Sequence, residues 1–377
     1  MTIQNQATKI IQIVPQLPPS INGLGDYALN LTRQLRKDYE IETRFIVGDA
    51  HWSGANNIEE FPVKKVAARS AFDLLSFLPP DIHTVLLHYV GYGYAKRGCP
   101  IWLVEALERW KSSISNAHLV TMFHEISAFG PIWTSAFWLS KLQKNLAARL
   151  VKISDHCVTS RYGYSEILHQ IYRAKQAQIA CLPVFSNIGE PECVPELAKR
   201  TRRLVVFGSR NARLQVYRQC HTALERTCQV LEIEEICDIG VPTGLELSEI
   251  NGIPVIEKGV ASAAEISNIL LDSVAGFLNF PLPEFLAKSS IFAALCAHRL
   301  IPCMVSLTTV PIDGLQAGKH YWSTTYNQSN QLCLELGQAI ADNAYAWYQT
   351  HNLSAQTKIF ASCLNCQVEE ESFSERA

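Results

Sequence analysis

Two histidines, His88 and His124, each stand at the carboxyl end of a short apolar run, TVLLH at 84–88 and LVTMF at 119–123. An imidazole near neutrality can accept a proton or donate one to a hydroxyl, which suits acid–base work or sugar binding at the mouth of a strand. A satisfied histidine at a loop start has the same appearance. Glu125 follows His124 directly and points to the opposite face of an extended chain, so the two do not share one task. The segment PPSINGLGDYALN (18–30) brings Gly23, Gly25 and Asp26 together. Its Gly23-Leu24-Gly25-Asp26-Tyr27-Ala28 run fits the dinucleotide pattern Gly-x-Gly-x-x-Gly/Ala in letter only. A dinucleotide loop turns directly after its strand, whereas eight residues with three prolines separate Val14 from Gly23. The glycines read either as capping a longer loop that turns a helix N-terminus toward an anion or as a plain strand-to-helix turn.

Two further places suit phosphate. FGSRNAR (207–213) leaves a strand and opens a helix, so Ser209, Arg210 and Arg213 can set hydroxyl, amide and guanidinium groups against a diphosphate. A basic surface turn is the other reading. In PEFLAKSSIFAALCAHR (283–299), Lys288 and Ser289 sit at an expected helix start, where the dipole and unpaired amides favour an anion.

The elements that must position these groups alternate between apolar strand-like runs and helical periodicity, the pattern of parallel α/β sheets. Strands are expected at 9–14, 43–48, 84–88, 119–123 and 156–159, with helices over 24–37, 100–113, 134–150 and 161–173 between them. The stretch 180–198 holds three prolines and a glycine without periodicity and reads as a linker. A second alternation follows: strands at 203–208, 234–240, 254–259, 274–280 and 300–306, and helices over 211–231, 262–272, 286–298 and 331–349. The expected organisation is two Rossmann-like domains in tandem. They comprise an N-terminal domain over 1–180, a linker over 181–200, a C-terminal domain over 201–330, and a C-terminal helix and tail over 331–377.

Of the 377 residues, 48% are hydrophobic and 18% charged, which excludes global disorder. The net charge of -2 argues against a dedicated nucleic-acid binder. No apolar run reaches the length of a membrane span, and the first twenty residues lack the pattern of a secretory signal, so a cytoplasmic protein is expected. The twelve cysteines scatter through apolar stretches and read as reduced. Cys363 and Cys366 form the one Cys-x-x-Cys, without the second pair that a zinc site needs, so no metal is expected there. No Asp-x-Asp metal motif occurs. In WTSAFWLSKLQKNLAARLVK (133–152), Trp133, Phe137 and Trp138 precede Lys141, Lys144, Arg149 and Lys152 with no acidic residue. Such a helix either packs its aromatic face into the core or lies on an anionic membrane surface.

The stretch PQLPPSINGLGDYALNLTRQL resembles the N-terminal loop and helix of GT-B fold glycosyltransferases, particularly those of family four. LLHYVGYGY (86–94), MFHEI (122–126), LPVFSNIGE (182–190) and AKSSIFAALCAH (287–298) match the same pattern, and together they span most of the chain. The resemblance implies a GT-B architecture with an interdomain cleft and a metal-independent transfer of sugar from a nucleotide-diphosphate sugar to a sugar or lipid-linked acceptor. No other cofactor or nucleic acid is implied, and peripheral contact with the inner face of a membrane is an option. It implies that the loop at Gly23, Gly25 and Asp26 approaches sugar and phosphates, and that His124 contacts the transferred sugar. Family members typically carry an Arg and then a Lys after the first strand of the second domain; this chain has Arg210, Arg213 and Arg218. They also carry a Glu-x7-Glu pair. Here Glu284 is the one carboxylate between Pro281 and Arg299, and position 292 is Phe. Some relatives use a Lys/Arg-Ser segment instead, which Lys288-Ser289 resembles. That departure keeps a non-catalytic binding relative open as an alternative. An epimerase and an NAD-dependent dehydrogenase rank lower, the latter because of the displaced glycines.

Overall fold

The computed structural model describes residues 8–128, 130–173, 179–280, 282–306, 308, 310–324 and 332–364. The chain divides into two units, one of residues up to Leu182 together with those from Leu353 onward, the other Pro183–Asn352.

The first unit carries a sheet of β1 (Lys9–Val14), β2 (Glu42–Val47), β3 (Asn57–Ile58), β4 (Phe61–Lys65), β5 (Thr84–Tyr89), β6 (His118–Phe123), β7 (His156–Thr159) and β8 (Ala180–Cys181). Their spatial order is β3-β4-β2-β1-β5-β6-β7-β8, parallel except where β3 folds back on β4. The intervening helices are α1 (Gly23–Tyr39), α2 (Ala71–Ser76), α3 (Gly91–Tyr94), α4 (Ile101–Ser113), α5 (Ser135–Ile153) and α6 (Tyr162–Ile171). β5 and β6 are buried along all but their first residue, as befits central strands covered by helices on both faces.

The second unit repeats the plan. Its sheet comprises β9 (Thr201–Phe207), β10 (Glu235–Ile239), β11 (Glu249–Ile250), β12 (Ile253–Gly259), β13 (Ser273–Leu278), β14 (Ile301–Met304) and β15 (Trp322–Ser323), ordered β11-β12-β10-β9-β13-β14-β15. Its helices are α7 (Arg210–Gln219), α8 (His221–Val230), α9 (Ala263–Leu271), α10 (Ser290–Ala297) and α11 (Leu334–Gln349). In each unit the first strand has the second on one side and the first strand of the return run on the other. That reversal is the topological switch point of a doubly wound sheet.

The expected α/β class and tandem Rossmann-like units are present. Three local expectations need correction, and one gains detail. The helix expected over 211–231 is two, α7 and α8, parted at Cys220, whose backbone leaves the helical region. The helix expected from 286 opens as a 3₁₀ turn, Pro283–Lys288, and α10 starts at Ser290. The stretch expected as a linker is anchored to the second unit from its start: Val184 N–H donates to the Ala287 carbonyl (2.8 Å) and Ser186 N–H to the Tyr348 hydroxyl (2.9 Å). The region after 331 holds two helices, α11 in the second unit and α12 (Leu353–Cys363), which returns to the first. There α12 packs on α1 through a face including Gln356, Thr357, Phe360 and Ala361, all buried. Cys366 lies outside the described residues.

Candidate functional site

In the first unit the switch point falls between β1 and β5, and the loop leaving β1 is built from anchored parts. Gln16 Nε2 donates to Asp49 (2.7 Å), and the Trp52 indole N–H donates to the Leu17 carbonyl (2.7 Å). Asn22 caps α1, its side-chain oxygen accepting from Leu24 N–H at 2.9 Å. A Cβ at Gly25 would stand 2.6 Å from the Gln16 carbonyl oxygen, so this glycine lets the loop lie against the first helical turn. Gly23 is the first residue of α1 and Asp26 lies in its first turn. Burial holds the Asp26 carboxyl above the usual carboxylate range, against the opposing pull of Arg33.

Beside this helix a buried polar chain crosses the sheet. The Thr32 hydroxyl donates to the Ala28 carbonyl (2.8 Å), and Gln12 Nε2 donates to Thr32 Oγ1 (2.6 Å). Gln12 Oε1 lies 3.1 Å from His88 Nε2, and His88 Nδ1 lies 3.1 Å from His124 Nε2. Tyr27 makes T-shaped contacts with both imidazoles, with ring centroids 5.9 Å from His88 and 5.3 Å from His124. His88 is fully buried, and burial drives its pKa down to about 3, so the ring is neutral. His124 directly follows β6, its backbone N–H on the Tyr89 carbonyl (2.9 Å), and is half-buried. The expected pair of strand-end histidines is therefore one coupled unit. Sequence reasoning missed Gln12, Thr32 and Tyr27. Their one signal was Gln12 itself, a polar residue inside the apolar run KIIQIV.

At the second unit's switch point, between β9 and β13, two helix N-termini come together. Ser209 caps α7 by accepting from Ala212 N–H (3.3 Å), and Ser289 caps α10 by accepting from Phe292 N–H (3.1 Å). Gly208, at φ +127°, sits where a Cβ would be 2.4 Å from Ile291 Cδ1 of α10, so the missing side chain allows this approach. Arg210 is exposed and donates to the Pro242 (3.1 Å) and Thr243 (2.8 Å) carbonyls, which fixes its charge beside the α7 start. Lys288 lies one residue before the α10 cap, its ammonium 5.4 Å from the Phe285 ring centroid. Glu284 lies half-buried in the 3₁₀ turn.

Arg213 is a correction. Its side chain is 1% exposed, pairs with Asp238, and donates to the Gly208 (3.1 Å) and Val241 carbonyls. Tyr217 completes the cluster with a 2.7 Å bond to Asp238. A guanidinium spent this way ties β9, β10 and α7 together and is buried rather than exposed toward a diphosphate. Phe292 is wholly buried, its ring against Trp347 at 5.7 Å, so the position where the resembling pattern has Glu belongs to the core.

The aromatic residues at the start of α5 do not pack inward: Trp133 is 81% and Trp138 72% exposed. Among the described residues no group of three His, Cys, Asp or Glu side chains is arranged for a metal, and no helix is long and apolar enough to cross a membrane.

No family model matches the chain, and a comparison with curated proteins finds no match. Solved structures do match in fold. A UDP-forming alpha,alpha-trehalose-phosphate synthase from Burkholderia vietnamiensis is 9% identical with a TM-score of 0.59, over 98% of this chain and 99% of its own. WaaG, a glycosyltransferase involved in lipopolysaccharide biosynthesis, is 9% identical with a TM-score of 0.58, over 95% and 100%. An alpha-glucosyltransferase in complex with UDP is 10% identical with a TM-score of 0.57, over 95% and 100%. The tandem Rossmann-like units are thus the GT-B fold class along nearly the whole chain.

Proposed function

We propose that this chain is a glycosyltransferase that moves a sugar from a nucleotide-diphosphate donor held by the second unit to an acceptor held by the first. The observation that carries this reading is the pair of capped helix N-termini, α7 and α10, brought together across Gly208 beside Arg210 and Lys288. Two positive dipole ends and two cations suit a diphosphate and neutralise it as a leaving group without a metal. The amides and hydroxyls of Ser209 and Ser289 serve the same anion, and Glu284 faces the nucleoside side. UDP in the alpha-glucosyltransferase structure supports the choice of a nucleotide. In the first unit, His124, Gly23, Gly25 and Asp26 line the acceptor and sugar side. A carboxyl at Asp26 disfavours phosphate and suits sugar hydroxyls.

The acceptor is a sugar or a lipid-linked sugar met at an anionic membrane face. Ile132, Trp133, Phe137, Trp138 and Leu142 are all exposed, with Lys141 beside them, and α5 follows His124 in the chain. Other alpha-glucosyltransferase structures include DNA. The net charge of -2 here and the apolar character of the exposed patch favour lipid over nucleic acid.

Thermal unfolding against UDP, GDP, ADP and TDP, with NADH as control, tests the donor site. A ligand at a hundred times its Kd adds about 2.7 kcal/mol, a rise of roughly 5–10 °C. The reading expects a rise with one diphosphate, lost in Arg210→Ala or Lys288→Ala; no rise with any nucleotide overturns it. A rise without sugar transfer from any matching nucleotide-sugar favours the binding-only alternative, which the core position of Phe292 keeps in view.

A further inference from the structure

We infer that His88 is a positioning residue that locks His124 as its Nε2–H tautomer and leaves Nδ1 as the nitrogen at which His124 gains and loses a proton. The direction of every hydrogen bond in the chain follows from one atom. Thr32 has a single hydroxyl hydrogen, and it goes to the Ala28 carbonyl at 2.8 Å. Thr32 Oγ1 therefore accepts, and Gln12 must turn its amide N–H toward it (2.6 Å). Gln12 then shows its carbonyl oxygen to His88 Nε2 at 3.1 Å, so that nitrogen carries the hydrogen. A neutral imidazole has one N–H, and His88, fully buried, is neutral. Its Nδ1 is an acceptor, and the group 3.1 Å away, His124 Nε2, has to donate.

The relay spans three elements: Thr32 on α1, Gln12 on β1 and His88 on β5 all act on the ring that directly follows β6. Among the described residues, the titratable groups placed at His124 include His88 from β5, Tyr27 from α1 with its ring centroid at 5.3 Å, and Glu125 next in sequence. The Tyr27 hydroxyl stays protonated, its pKa driven far up by burial. The neutral His124 ring thus carries its hydrogen on Nε2, and Nδ1 is the nitrogen that takes up a second proton. A protonated ring keeps its Nε2–H bond to His88 unchanged. This deepens the proposed sugar-side role of His124, but it concerns the ring alone.

The test is long-range ¹H–¹⁵N correlation of the full chain labelled on histidine, without nucleotide or sugar, with the His124 signals assigned by their loss in His124→Asn. The expected result is a pyrrole-type Nε2 and a pyridine-type Nδ1 on His124 above its titration. In folded His88→Leu the single tautomer is lost to a mixture, whereas His88→Gln, which restores an acceptor, keeps it. A pyrrole-type Nδ1 or a mixture in the unaltered protein overturns the inference, as does an unchanged tautomer in folded His88→Leu. Where the leucine variant does not fold, the unaltered protein still decides. Because no substrate is used, failure here leaves the glycosyltransferase reading standing, and failure of that reading leaves this one.

Discussion

The Tyr27 hydroxyl donates to Gln356 Oε1 at 2.7 Å, across a separation of 329 residues, and both side chains are buried. One tyrosine thus joins the last helix of the first unit to the pair of imidazoles at its switch point.

Tyr27→Phe removes that donor and leaves a buried amide oxygen one hydrogen bond short. The expected cost is about 1–3 kcal/mol, read as a lower urea midpoint with an unchanged slope. A variant as stable as the parent would mean that α12 is held by its apolar contacts alone.

Acid should destabilise the fold well before the carboxylates titrate. His88 is held near a pKa of about 3, and His298 and His351 near about 4, all by burial. Released by unfolding, each imidazole takes up a proton below its ordinary 6.5. Over that window the unfolded chain binds more protons, so stability falls as pH drops from 6.5 toward 4. Each histidine adds a slope of up to about 1.4 kcal/mol per pH unit. Unfolding titrations at pH 7.0, 6.0 and 5.0 measure this; His88→Gln should flatten the slope by about one proton.

Arg213→Leu should unfold the second unit readily, because Asp238 keeps its burial and loses its counter-charge, a loss of about 3–5 kcal/mol. Arg210→Ala, on the exposed side of the same helix, should leave the melting temperature within a degree or two of the parent. Calorimetry of both without ligand separates the two arginines. Equal losses would contradict the division of labour described above.

The central strands and the tandem units were readable in the sequence because central parallel strands are near-continuous apolar runs; their spatial order came from the structure. β4 escaped notice for the opposite reason: FPVKK is a short strand near the sheet edge, with a proline and alternating exposure. The Ser209 cap was legible because Ser209 precedes the helical periodicity, whereas the Ser289 cap was hidden inside a helix expected from 286. Arg213 was misjudged because spacing places a guanidinium on a helix but not on a face, and its partner Asp238 lies on another strand. Likewise, no local pattern shows that Gln12 and His88 touch, or that Trp133 and Trp138 stay in solvent.

That exposure carries its own prediction. The chain should bind vesicles containing a third phosphatidylglycerol and ignore pure phosphatidylcholine. Trp133→Ser with Trp138→Ser should weaken binding about tenfold or more, and Lys141→Glu should steepen the loss at low salt. Cosedimentation checks both. Equal binding to neutral and anionic vesicles would remove charge from the account, and none at all would remove the membrane.

The return of α12 to the first unit has a consequence for synthesis. A ribosome releases β1 to β8 long before it makes residues 353–363, and the whole second unit is translated in between. Until then the face of α1 around Tyr27 lacks its cover, so the first unit emerges incomplete although nearly all of its sheet is already made. A released chain truncated after residue 352 should therefore protect the second unit from protease while α1 is still cut.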